Sequence, residues 1–359
     1  MVEPARQKLN CALGIYEANH VGESPAAGNV FEALADIDFQ SGMLSEAETN
    51  LRKALTIHEN TSGALSPEIA RILMRMADIY QAKGQLEVAE KLLQQVVNLY
   101  SSAFSGKSVE TGKALDQLAQ VYVASGKIDE AESLFRKALD IFSSITGSGS
   151  LQLANIQNNL AEILIFKEKF DEALKLLEPS LATREKILGT NHPAVAQSLN
   201  NLAMIHSRRG NLSTALIQHN KALGIRETCF GKDHPAITQS IENIAEIHHA
   251  QGETEKAKNL LIKSLLIWEK AHGHAHPATA KTQHNLAMIY LQETKYQKAE
   301  RALLSAKKIL EKASGGGHSM HLATVFRTFS LLYKKMGKIG KSEEFNAKVM
   351  KLVNAAHSF

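Results

Sequence analysis

A period of 42 residues runs through this sequence. Gly42, Gly84, Gly126, Gly210 and Gly252 are spaced by multiples of 42. Ala35, Ala77, Ala119, Ala161, Ala203, Ala245 and Ala287 form a second lattice with the same step, and Ala47, Ala89, Ala131, Ala173, Ala215, Ala257 and Ala299 a third, twelve residues further on. Three lattices held in fixed phase mean that one structural unit is used repeatedly, so the core is built from neighbour to neighbour rather than around one centre.

Each unit reads as two helices. Leu199, Leu202, Ala203 and Ile205 follow the 3/4 spacing of an apolar helical stripe, and Gly210 stops that helix. Leu212, Ala215, Leu216, Ala222 and Leu223 make the stripe of a second. Ala203 and Ala215 fall where the paired helices approach, and a larger side chain there would overpack. Pro25, Pro67, Pro193, Pro235 and Pro277 open first helices at the favoured first-turn position, where the missing N–H has no intrahelical partner anyway. Ser24 and Ser66 precede two of them as caps.

The expected fold class is therefore all-α: an α-solenoid superhelix of eight helix pairs, starting near residues 25, 67, 109, 151, 193, 235, 277 and 320. The last start is displaced by one residue, which fits an insertion in the loop at 314–320. Ala5 and Ala12 sit 42 residues ahead of Ala47 and Ala54, so residues 1–22 read as the second helix of an incomplete leading repeat, and 23–359 as the repeat solenoid. Either the chain is truncated there or a lone helix caps the stack; the apolar stripe such a helix exposes favours truncation.

Composition agrees with many short helices. Aromatic residues make up 6% of the 359, Pro totals 7, and residues that lose little entropy on entering a helix dominate. The net charge of +4 is spread along the chain rather than gathered on one face, which argues against nucleic acid as a partner. No uncharged apolar run approaches the roughly 20 residues of a membrane span. Two cysteines far apart, Cys11 and Cys229, exclude a disulfide framework, and the start lacks a secretory pattern. A reducing, cytoplasmic setting is expected, or an organelle if a targeting segment precedes the chain.

The unit is about eight residues longer than the tetratricopeptide repeat of about 34. Its loops read LGTNHP at 188–193 and FGKDHP at 230–235, with a looser HGHAHP at 272–277, and NNLA occurs at 158–161 and 200–203. These motifs and the small-residue pattern resemble the tetratricopeptide repeat domain of kinesin light chains, most specifically in repeats four to seven. The resemblance implies a non-catalytic scaffold that binds a peptide or helical segment of another protein in a concave groove lined by first helices. In that family the matching Asn of each first helix lines the groove, which implies this role for Asn159, Asn201, Asn243 and Asn285. An amide offers donor and acceptor, so a ladder of them can pair with an extended backbone; each can equally bond a neighbouring repeat's backbone and stiffen the stack. Asn158, Asn200, Gln197, Gln239, Lys281, His284, Met204 and Arg208 are further expected groove positions. Alternatives from other classes are the repeat segment of a larger regulatory or enzymatic protein, and self-association through terminal helices.

No catalytic residues, cofactor or metal are expected. His276 aligns with His192 and His234 in a capping position, leaving only His272 and His274 as extra imidazoles of a metal-like tract. SGKS at 105–108 lacks the preceding strand and glycine of a phosphate loop. Cys229 is an exposed thiol without a base partner. Tyr80, Tyr122, Tyr290 and Tyr333 form an inter-helix packing column, and Trp268 is a packing residue of a second helix.

Overall fold

Helix caps recur at the same phase as the lattices. The architecture is that of a computed structural model, which describes residues 2–63, 66–103, 107–312 and 319–356. The Oγ atoms of Ser24, Ser66, Ser108 and Ser150 accept from the backbone N–H three residues on, at 3.4, 3.4, 3.0 and 3.1 Å. From the fifth pair the cap changes: Nδ1 of His192, His234 and His276 accepts from the N–H of Ala194, Ala236 and Ala278 at 3.1, 3.1 and 3.2 Å. An accepting Nδ1 puts the proton of a neutral imidazole on Nε2. The repeated His-Pro loop is thus a helix start. The inserted loop expected at 314–320 lies, up to residue 318, outside the described residues, as do residues 105 and 106 of the SGKS segment.

Chain contacts divide the molecule into two compact units, Met1–Ser148 and Gly149–Phe359. The first holds α1 (Val2–Ala18), α2 (Pro25–Gln40), α3 (Leu44–Ser62), α4 (Pro67–Ala82), α5 (Leu86–Ala103), α6 (Val109–Ala124) and α7 (Ile128–Thr146). The second holds α8 (Leu151–Phe166), α9 (Phe170–Leu188), α10 (Pro193–Arg208) and α11 (Leu212–Phe230), then α12 (Thr238–Ala250) after a 3₁₀ turn at Pro235–Ile237. It continues with α13 (Thr254–His272), α14 (Pro277–Gln292), α15 (Tyr296–Lys312), α16 (Ser319–Lys335) and α17 (Ile339–Ala356). No strand occurs among the described residues. In each unit consecutive helices pack as pairs, α2 on α3 or α10 on α11, and each second helix packs on the next first helix.

Small side chains set this pairing. All seven alanines of each lattice are buried. Ala203 on α10 and Ala215 on α11 share one cluster with Ile247, flanked by Leu212 and Leu216. First helices end where the chain turns through positive φ, at Gly42, Gly84, Gly126, Gly210 and Gly252. The two gaps in that lattice are filled by Glu168 at φ 59° and Thr294 at φ 58°. The turn is so firmly required that two side chains are held where L-residues are unfavourable.

Within each unit a second, polar ladder ties first helices to one another. In the first unit Arg71 on α4 grips buried Glu32 on α2 with two bonds, Nε at 3.0 Å and Nη2 at 2.8 Å. In the second unit the same column carries Asn158, Asn200, Glu242 and His284. Ser198 donates to Asn158 Oδ1 at 3.0 Å, Asn200 Nδ2 donates to Ser240 at 3.0 Å, and Thr282 donates to Glu242 at 2.6 Å. His284 Nε2 lies 2.9 Å from Thr328 Oγ1. Buried Arg184 donates to Asn155, Ser198 and the Ala194 carbonyl, and burial holds its guanidinium down at about 10. His219 Nδ1 meets Asn200 Oδ1 at 2.8 Å, and burial, then the charge of Arg226, lowers its pKa to about 4. Tyr80, Tyr122 and Tyr333 extend the inter-helix bonding through their hydroxyls, to Glu48, Gln94 and Glu300 respectively.

Two consequences are measurable. Ala203→Leu is expected to destabilise the chain by about 1–3 kcal/mol through overpacking; chemical denaturation checks this, and an unchanged midpoint contradicts the pairing. His219 is neutral when folded, so its contribution is full above its ordinary value of 6.5 and is lost as pH falls toward about 4. Relative to His219→Gln, which cannot titrate, the wild type is expected to lose up to about 3 kcal/mol between pH 7 and pH 4. Parallel denaturation of both proteins across that range measures the difference.

Candidate peptide-binding surface

On α8 the side chains at 155, 159, 162 and 166 follow a 4, 3, 4 spacing and so share one helix face. The equivalent stripes are 197, 201, 204 and 208 on α10, 239, 243, 246 and 250 on α12, and 281, 285, 288 and 292 on α14. Every one of these residues is exposed or half-buried except Asn201, which is 4% exposed. The faces between them are apolar core or polar ladder. First helices of successive pairs approach one another, α8 with α10, α10 with α12 and α14 with α16, which sets the stripes side by side.

Asn159, Asn201, Asn243 and Asn285 occupy the middle of this surface. Asn159 is half-buried and bonded within the chain, and Asn285 bonds the imidazole of His284. The Nδ2 atoms of Asn201 and Asn243 have no hydrogen-bond partner. In the first unit the same column holds Arg75 and Gln117, whose longer side chains donate to the backbone carbonyls of Glu32 and Met74 on the preceding first helix, at 3.4 and 3.0 Å. The stiffening role is realised by those longer residues. At 201 and 243 the shorter amide leaves its nitrogen unbonded.

Three expected groove residues, Asn158, Asn200 and His284, are placed elsewhere. Asn158 and Asn200 are 0% and 1% exposed. They are one position off the accessible face, which turns their amides into the polar ladder, where Ser198, Ser240 and His219 hold them. His284 is half-buried in the same ladder, and burial, only partly offset by the bond to Asn285, lowers its pKa. Lys281 reaches Glu242 at 3.3 Å, which leaves about half of its side chain exposed on the stripe. Gln197 and Met204 are half-buried, and Gln239 and Arg208 exposed, all on the stripe.

The same spacing brings in residues the sequence reading passed over: Asn155, Glu162, Glu246, Met288 and the 70%-exposed Phe166. Their signal was present, since each lies 42 or 84 residues from a chosen position. The surface offers amide donors and acceptors along its centre and carboxylates, thioethers and one aromatic ring along one edge. The first-helix charges of the first unit are largely matched among themselves, with Arg71 on Glu32 and Arg75 on Asp36.

Among the described residues no group of three or more His, Cys, Asp or Glu is arranged to hold a metal. His274 pairs with Glu269 at 3.0 Å, while His276 stacks on both His272 and Trp268 and His272 meets Trp268 at a tilt, ring centroids 4.6 to 5.5 Å apart. The Cys229 thiol, exposed, donates to the Asn191 carbonyl at 3.2 Å. No helix of the described residues is long and apolar enough to cross a membrane.

Solved structures of similar fold include the Rap conjugation gene regulator of plasmid pLS20 in complex with the Phr* peptide. It is 16% identical, covers 93% of this chain and 97% of its own, and has a TM-score of 0.65. BtubC (BKLC) from P. vanneervenii is 22% identical over 66% of this chain and 92% of its own, with a TM-score of 0.51. A Podosopora anserina putative kinesin light chain with nearly identical TPR-like repeats is 25% identical over 57% of this chain and 98% of its own, TM-score 0.48. A comparison with curated protein sequences gives no match. The sequence pattern of the tetratricopeptide repeat matches residues 68–144, 152–228 and 235–312, more than half of the chain. Paired helices, buried alanine lattices and this match agree: the chain belongs to the tetratricopeptide repeat family.

Proposed function

We propose that this chain is a non-catalytic adaptor that holds a peptide or helical segment of another protein against the stripes of α8, α10, α12 and α14. The observation that carries this reading is the set of aligned stripes themselves, whose side chains are exposed or half-buried except Asn201 and which carry an amide at 159, 201, 243 and 285 along their middle. An amide offers both a donor and an acceptor, and a hydrogen bond from it to a partner's backbone contributes about 0.5–1.5 kcal/mol. Backbone carbonyls recur along any extended segment, so such a ladder fixes register while neighbouring side chains set preference. The half-buried Met204 and exposed Met288 adapt to varied apolar groups. The Rap regulator of similar fold, solved with the Phr* peptide, supports a peptide as the kind of ligand. A cytoplasmic location is part of the same proposal.

The test begins with peptides selected from a displayed random library on the full chain. Those peptides are expected to lose about 1–3 kcal/mol of affinity for the Asn201→Ala, Asn243→Ala double variant, on typical hydrogen-bond values. The variant's helical circular dichroism should match the wild type. Equal affinity for both proteins would overturn the reading.

A further inference from the structure

The first unit carries a groove on a different face from the first-helix stripe. It runs between second helices α3 and α5 over first helix α4, with a volume of 680 Å³, in the range of binding cavities. Ile69, Leu73 and Met76 make its floor, and Leu55, Leu92 and Leu99 its walls. Val88 stands at its mouth, 40% exposed.

The repeat lattice shows that Val88 is the exception. In the other six of the first seven helix pairs the same position is Glu46, Glu130, Glu172, Thr214, Lys256 or Lys298, all polar, and in the leading helix α1 it is Pro4. One repeat earlier the equivalent groove, of 470 Å³, shares an apolar floor of Leu13, Phe31 and Leu34 but is rimmed by Asn10, Asp38, Glu46, Asn50 and Lys53, where this one has Arg52, Tyr80, Val88, Leu92 and Gln95. An exposed apolar residue where the other helix pairs carry a polar one, beside a rim that is charged in the sister cleft, marks a surface that gains from being covered.

The rim limits what covers it. Arg52 is held by Glu48 and the Tyr80 hydroxyl, both at 2.8 Å. Gln95 and Asn98 on the opposite rim are neutral. Glu59 is exposed and makes no ion pair among the described residues. A cleft between two parallel-running helix ridges accepts a third helix lengthwise, its apolar stripe inward. We infer that this groove docks an amphipathic helix of a partner protein, with a leucine-type stripe over Val88 and Leu73 and a Lys or Arg on the flank that meets Glu59.

The probe is a labelled helix-forming peptide of about 16 residues, long enough to hold a helix. It carries Leu at i, i+3, i+4 and i+7 and Lys on one flank, and is titrated into the full chain by fluorescence anisotropy. Val88→Glu restores the residue of other repeats at an exposed site and is expected to weaken binding at least about tenfold, because the docked helix would bury a bare carboxylate. Glu59→Gln is expected to weaken it about threefold, with a shallower salt dependence. The Asn201→Ala, Asn243→Ala variant should bind the probe as the wild type does, which separates this groove from the first-helix surface. Equal binding by Val88→Glu, or by a scrambled or Glu-flanked peptide, would overturn the proposal. Self-association of the full chain that Val88→Glu abolishes would give the groove to a second copy and overturn it as well.

Discussion

Everything in this molecule depends on how closely two helices can approach across a pair of alanines. Alanine on both sides of the contact brings the backbones near enough for the flanking leucines and isoleucines to interlock. Because the contact recurs every 42 residues, neighbouring pairs within each unit repeat the same relation. That relation orients each first helix so that one narrow stripe faces outward while the rest is consumed by packing. The proposed binding surface is what the packing leaves over.

Between first helices the stack uses hydrogen bonds where apolar contact would suffice. The early column is ionic, Glu32 with Arg71, whereas the later one is mostly neutral, Asn158 with Ser198 and Asn200 with Ser240. Such bonds add modest net stability, but a lone buried amide is costly, so they disfavour any sliding of one pair against the next. Arg184 is the extreme case: a buried guanidinium with amide, hydroxyl and carbonyl acceptors, whose pKa burial depresses. The ladder fixes register, and register is what keeps the asparagines in line.

Much of this could be read from the residues. The alanine and glycine lattices carried helix pairing and helix ends because each position tolerates only a small side chain or a left-handed turn. The His-Pro loops read as caps because Pro follows His at each of three aligned helix starts. Asn158 and Asn200 were misread because a step of one residue on a helix turns a side chain by about 100°, and sequence alone does not say which of two adjacent amides faces the ladder. Glu168 and Thr294 were not legible as turn residues, since nothing in their chemistry favours positive φ and only the surrounding packing holds them there. Val88 was visible in the lattice all along, yet its meaning required the cleft beneath it.

The orientation of one first helix tests the account most directly. In a protein with Cys11→Ser and Cys229→Ser, single cysteines would be introduced along α10 and their rates of thiol labelling measured under native conditions. Positions 197, 204 and 208 should label readily, while 198, 202 and 205 should react only on the timescale of unfolding. Protection at 204 and 208 together with ready labelling at 202 and 205 would mean that the helix presents the opposite face, and the amide surface would not exist.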